Sequence, residues 1–346
     1  MRLRAVVVLF CLATSITHGA IQLDDNTNIE FASVEKGRRI LATSDRYIER
    51  MSPFDRASRM RTDRDVSKDE FLRFVGKSVL PWETFERRNV ESAIRLIQPR
   101  LAKLSVNFPK TLYMVKTTGD EEGGAAYTRG NAIVIPVPLI SPSHTELARI
   151  ISHELFHIVS THNDELRERL YRLIGFEKCN EVELPPALAA RKISNPDAPR
   201  NDHRIRVRLG RDLVWAIPII FSNDRYDASR GGSFFDYLQF RLLLVEGTGS
   251  RVRPVYDGTG PRLVEVDQVT EFFDQVGRNT EYVVHPEEIL ADNFALLVLG
   301  KRDLPTPAIP NRMWELLTKA NRSVRHAPMN TRKESARDAI VIARRG

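Results

Sequence analysis

Two cysteines in 346 residues, Cys11 and Cys179, are too few for a disulfide framework. Cys11 falls in a segment built like a secretion signal. Residues 1–4 are basic, 5–16 are apolar, and Thr17, Gly19 and Ala20 are the small residues expected at a cleavage point near Gly19 or Ala20. Loss of residues 1–20 leaves Cys179 alone, so the core and not cross-links must stabilise the fold. Long apolar runs are also missing: nothing after the first segment approaches the length of a membrane span. Internal repeats are absent, and no nucleic-acid motif accompanies the basic charge. Removing Arg2 and Arg4 from a chain of net charge +7 leaves +5, much of it in residues 321–346, which read as a solvated, disordered tail. The expectation is a secreted or periplasmic protein with no transmembrane segment in the mature chain and no nucleic-acid partner. Oligomeric state is not legible.

What is present is a globular composition, 42% hydrophobic and 28% charged, with turn and capping signals that divide it. Residues 21–66 are polar and read as a weakly structured lead-in or pro-segment. Ser67 with Glu70 forms a capping box that starts a helix running to about Lys77. A longer helix follows over about residues 83–104, with Val90, Ile94 and Ile97 on its apolar side and Pro99 as a point of kinking. Residues 111–115 and 131–136 read as strands, and Pro136 and Pro138 mark the second as an edge or as a strand end. An edge strand there could pair with an extended peptide. Asn163 caps a helix over 164–173 that Gly175 closes. Residues of about 181–275 are proline-rich, with apolar runs at 213–221 and 240–245 between Gly/Asp turns, and read as a largely β insertion. Pro286 opens a helix closed by Gly300, and residues 313–320 suggest one more. The fold class is therefore α+β, with a main domain over 67–320.

One stretch carries chemistry. Within residues 141–163 lies His153-Glu154-Leu155-Phe156-His157, a match to H-E-x-x-H. Ser143 and Glu146 set a helix start, and Leu147, Ile150, Ile151, Leu155 and Ile158 recur at helical spacing. Both imidazoles then fall mid-helix on one side, four residues apart, and can reach one ion. Two packed structural histidines would give the same letters, but beside a buried face they would need other partners. Zinc suits imidazole nitrogen, and a catalytic site adds a third protein ligand and a water. Glu154 would stand beside that water as its base.

The third ligand is not nearby. A short-spacing His is excluded, because Ser160 and Asn163 occupy the Gly and His positions of the longer motif, and His162 reads as a helix-end residue. Glu288 is the better candidate, four residues before Asp292 and so on the same helix side, where Asp292 can orient a ligand imidazole. Glu287 competes with it. Ala291 and Ala295 would let the two helices approach.

This pair of motifs resembles the gluzincin zinc peptidases, the thermolysin-like group, over two helices and the preceding strand. The resemblance implies a zincin-like core with one zinc ion per chain held by His153, His157 and Glu288. Glu154 would be the general base and Asp292 the partner of a zinc-bound His. It implies hydrolysis of peptide bonds in a peptide or protein substrate by Glu-assisted attack of zinc-bound water, the edge strand holding the substrate. The interval between His157 and Glu288 is longer than in thermolysin, which the β insertion accounts for. A zinc amidase acting on cell-envelope polymer, and a non-catalytic zinc-containing binding protein, are the alternatives. Tyr282 and His285, and behind them Tyr226 and His203, are candidate oxyanion donors.

Overall fold

The computed structural model of the protein describes residues 20–140, 143–258 and 260–324. The expected signal segment therefore lies outside the described residues except for Ala20, as do Ser141 and Pro142 and most of the basic tail. Helices and strands alternate in an α+β arrangement built on two principal sheets.

The first sheet contains β1 (Ile21–Gln22), β2 (Asn28–Phe31), β3 (Val79–Leu80), β4 (Thr111–Thr117), β5 (Tyr127–Arg129) and β6 (Ala132–Pro136). Its order is β1-β2-β4-β6-β5, with β3 paired to the end of β4. The β2–β4 and β4–β6 pairs are parallel, and β5 returns antiparallel on β6. Successive side chains on a strand point to opposite faces, and the sheet uses both. Leu112, Met114, Ile133 and Ile135 join the main core with the motif helix. Val115, Ala132 and Val134 face a second core with Leu41, Ile48, Phe71 and Val75.

That second core changes the reading of residues 21–66. They are not a loose lead-in: they form β1, β2 and the helices Val34–Leu41, Arg46–Arg50 and Pro53–Arg59. Each helix is too short to show an apolar period, so tertiary packing and caps decide its formation. The caps are Ser33, Asp45 and Ser52, and Ser52 forms a reciprocal box with Asp55. Ile29 is completely buried in the main core and Leu41 in the second, so losing this segment as a pro-peptide would uncover apolar surface in both.

The motif helix is His144–Thr161; the Ser143 side chain accepts the Glu146 N–H, and His162 is the C-cap. It packs between the helices Thr84–Leu101 and Pro286–Val298. The first of these begins near the expected Glu83 but ends at Leu101, and Pro99 is accommodated within it. Lys68–Ser78, Asp164–Leu173 and Pro286–Val298 lie close to their expected positions. Ala308–Val324 is longer than anticipated at both ends and runs into the expected tail.

Residues 176–270 build the second sheet, antiparallel around β7 (Phe176–Lys178), β8 (His203–Leu209), β9 (Asp212–Ser222) and β10 (Leu238–Glu246). The expected apolar runs lie inside β9 and β10. Pro218 sits in the middle of β9 opposite Leu242. It is tolerated because the β8–β9 ladder ends at Ile205 and Ala216, so no partner there needs its missing N–H. Among the described residues no helix is long and apolar enough to cross a membrane.

Candidate metal centre

The motif helix presents His153 and His157 one turn apart, with ring centroids 4.8 Å from each other. Opposite them, Pro286–Val298 brings Glu288 and Asp292 on successive turns. Ala291 between them is fully buried and lets the helices close up.

Each imidazole has one nitrogen tied to a carboxylate. His153 Nδ1–H donates to Asp292 Oδ1 at 2.9 Å, and His157 Nδ1–H donates to Glu287 Oε1 at 3.0 Å. These contacts set the tautomer, a proton position assigned from hydrogen bonding. Both Nε2 atoms then turn to the same acid: His153 Nε2 lies 3.0 Å from Glu288 Oε2 and His157 Nε2 lies 3.8 Å from Glu288 Oε1. His157 Nε2 is buried and has no hydrogen-bond partner.

Adjacent glutamates thus have different tasks. Glu287 points away from the convergence, accepting from His157, from Ser160 Oγ at 2.7 Å and from the Tyr171 hydroxyl. Glu288 points into it, and its Oε1 accepts from Asn195 Nδ2 at 2.6 Å. Between the two candidates, it is Glu288 that stands where the two Nε2 atoms converge, while Glu287 holds His157 from its Nδ1 side.

The arrangement fits a cation. With their Nδ1 protons committed, neutral imidazoles aim lone pairs at a carboxylate, which is unfavourable unless positive charge stands among them. In the ion-free cluster a proton takes the place of that charge. Burial works against charge on His153, yet hydrogen bonds to Asp292 and Glu288 carry its pKa to about 10. Burial opposes ionisation of Glu288 too, but His157 and His153 hold it at about 2. One atom each from His153, His157 and Glu288 lie within 4.8 Å of one another, so this group could hold a metal ion. Donors around a tetrahedral zinc stand roughly 3.3 Å apart, and the 3.0 and 3.8 Å contacts bracket that separation.

Glu154 is on the same helix, 3% exposed, where burial pushes its carboxyl up. Thr128 Oγ1 donates to its Oε2 at 2.9 Å. A cleft of about 590 Å³ opens over Glu154, His153 and Glu288, with Phe234, Phe235 and Tyr282 among its walls. β5 is the outer strand here. Ala132–Pro136, read as an edge or an end, pairs with β4 along its length and with β5 over Ala132, Ile133 and Val134, so only Ile135 and the terminal Pro136 are open on that side.

Of the further candidates, Tyr282 alone reaches the cleft. His285 caps the acidic helix by accepting the Glu287 N–H at 3.1 Å, and its burial holds it neutral with a pKa of about 4. The Tyr226 hydroxyl donates to the Gly232 carbonyl, and His203 sits between Asp202 and Glu168. His162 donates to the Ile158 carbonyl at the helix end, as anticipated.

Sequence reasoning missed Thr128, Asn195 and Asp197. Asn195-Pro196-Asp197 reads as one more turn in a proline-rich region, and indeed the Asp197 N–H donates to Asn195 Oδ1 at 2.9 Å. Nothing local tells that this turn crosses the cleft floor. Comparison with family models, curated proteins and solved structures finds no match, so the chemistry rests on the geometry.

Proposed function

We propose that the chain is a secreted, zinc-dependent hydrolase of peptide bonds, a zincin-like enzyme resembling the gluzincins. The observation that carries this reading is the convergence of His153, His157 and Glu288 beside the buried Glu154 at the base of one cleft. His153, His157 and Glu288 would hold the ion, with Asp292 and Glu287 orienting the two imidazoles through Nδ1. Zinc bound there would supply a Lewis acid for a carbonyl oxygen and would acidify adjacent water.

The protein's own groups account for the rest. Glu154 takes the proton of the attacking water and delivers it to the departing amine; a carboxyl raised by burial is suited to both directions. Thr128 Oγ1 fixes which oxygen of Glu154 faces the cleft. Tyr282, at the wall, is the candidate donor to the developing oxyanion. The apolar walls exclude water and receive side chains flanking the reacting bond.

The test is cleavage of a peptide library by the purified protein, assayed beside turnover of cell-envelope polymer. Peptide cleavage lost with chelator and restored by zinc supports the reading. Polymer turnover without peptide cleavage replaces the substrate class, and zinc-independent cleavage ends the metal reading.

A further inference from the structure

Residues 193–197 line the cleft as a strap that the fold holds from two sides. On one side the Ile193 N–H donates to the Ile220 carbonyl of β9 at 2.9 Å. On the other the N-terminal segment grips it. Ser52 Oγ donates to the Lys192 carbonyl at 2.6 Å, Asp55 Oδ1 accepts the Ser194 N–H at 2.9 Å, and Arg59 donates to the Ser194 carbonyl at 3.0 Å. Arg59 and Asp55 are buried and ion-paired at 2.8 Å, and Glu122 pairs with Arg59 at 2.9 Å. Breaking a buried pair is costly, so the strap is a fixed part of the cleft.

Asn195 is the strap residue that reaches the acid of the candidate metal centre. Its Oδ1 accepts the Asp197 N–H at 2.9 Å, which closes an Asx turn and fixes the amide plane. With the oxygen committed, the amide nitrogen must face the other way, and there Nδ2 donates to Glu288 Oε1 at 2.6 Å. Amide orientation is assigned from hydrogen bonding, and both bonds demand the same one. Glu288 is 3% exposed, and among the described residues its carboxylate has hydrogen-bond partners only in His153 and Asn195. The two differ in kind. His153 Nε2 meets Glu288 where the would-be ligands converge. The Asn195 nitrogen only donates, has no lone pair for an ion, and does not titrate.

We propose that Asn195 is a positioning residue for Glu288: its amide fixes the rotation of the carboxylate, so that the acid meets the two imidazoles in one orientation with or without an ion. The inference rests on the metal reading above and adds no donor to it, so the position that a hydrolytic zinc keeps for water stays open. It completes a pattern. Asp292 holds His153 and Glu287 holds His157, each at Nδ1, and Asn195 does the same for the acid. It also gives Ser52, Asp55 and Arg59, in or near the segment read as a lead-in, a share in the centre, because they hold the strap that carries the amide.

The test is zinc affinity of the purified full-length protein, measured by competition with a chromophoric chelator. It is read beside the visible spectrum of the cobalt(II) form and thermal unfolding of the metal-free form. Asn195→Ser keeps an oxygen for the turn but is too short to reach Glu288; Asn195→Ala loses both contacts. Both variants should lose zinc affinity alike, by about 10–100-fold, the usual cost of removing a partner that orients a ligand. Both should change the cobalt spectrum, and metal-free Asn195→Ser should unfold near wild type. Zinc affinity of Asn195→Ser within twofold of wild type with an unchanged spectrum overturns the proposal. So does a loss confined to Asn195→Ala, or a metal-free Asn195→Ser that unfolds well below wild type, since either makes the residue a turn former only. If His153→Ala binds zinc as tightly as wild type, it is the underlying metal reading that has failed.

Discussion

Two histidine clusters stand close together in this molecule and end differently. His203 donates Nδ1–H to Asp202 at 2.7 Å and faces Glu168 with Nε2 at 3.2 Å, so both ring nitrogens have an acid. Lys178 and Arg200 attend those acids in turn. The cluster is electrically closed, and His203 is a satisfied core residue. At the motif helix, two imidazoles share one central carboxylate, and His157 Nε2 has no partner. Burial is similar in the two places. What separates the two places is that one carboxylate, Glu288, serves two imidazoles at the motif helix, which leaves the His157 Nε2 without a hydrogen bond and the group able to hold a cation.

Breaking the comparison at its strongest point means removing a ring from each cluster. His153→Ala or His157→Ala should abolish stoichiometric zinc and with it all hydrolysis, while His203→Ala should retain zinc near one per chain by metal analysis. His203→Ala should instead lower stability by about 1–3 kcal/mol in denaturant titration, because Asp202 loses a charged hydrogen bond while Arg200 still attends it. Equal zinc loss in the two clusters would erase the distinction.

Next in size is Glu154→Gln. It should keep zinc and reduce turnover by about 10²–10⁴-fold, the usual contribution of a positioned base, measured as kcat on a cleaved peptide. A smaller effect is expected from the neighbouring glutamates. Glu287→Gln should weaken zinc binding by about 10–100-fold through His157, whereas Glu288→Gln should cost more because it alters a donor. A reversed order in competition titrations would exchange the roles of the two residues.

The smallest effect is the pH dependence of the closed cluster. Asp202 and Glu168 each lie at about 2: burial opposes their ionisation, but His203 outweighs it. Their depressed values give stability that is present above the unfolded carboxyl range near 4 and lost as pH falls toward 2. Burial lowers the His203 pKa, but bonds to Asp202 and Glu168 raise it overall. That contribution is complete below its unfolded value of about 6.5 and is lost as pH climbs through the raised one. The stability gap between wild type and His203→Gln should therefore be widest between about pH 4 and 6.5 and shrink on both sides in pH-resolved thermal unfolding. A gap that does not vary with pH would mean that His203 contributes by packing alone.

Much of the centre was legible because helices are local. Ser143 and the apolar stripe placed His153, Glu154 and His157 on one helix, and the four-residue step from Glu288 to Asp292 placed both on another. The N-terminal segment was misread for the converse reason: its helices are too short to carry a period, and their stability comes from Leu41 and Ile48 packing on a sheet completed by strands far along the chain. The outer strand was misassigned because Pro136 marks a strand end as readily as an edge, and β5 is three residues long.

By itself the sequence determined the motif helix, the pairing of its imidazoles and the requirement for a distant acid, since each follows from residues within a turn or two of one another. It did not determine which acid. Neighbouring residues on a helix point about 100° apart, so Glu287 and Glu288 are distinguished only by how Pro286–Val298 is rotated against the motif helix. Nor could it place Asp197, because a turn's own residues specify its bend but not what it crosses. That was decided by Asp55 and Arg59, which bond to Ser194 and hold residues 194–197 along the cleft, where Asp197 comes beside Glu154 and His157.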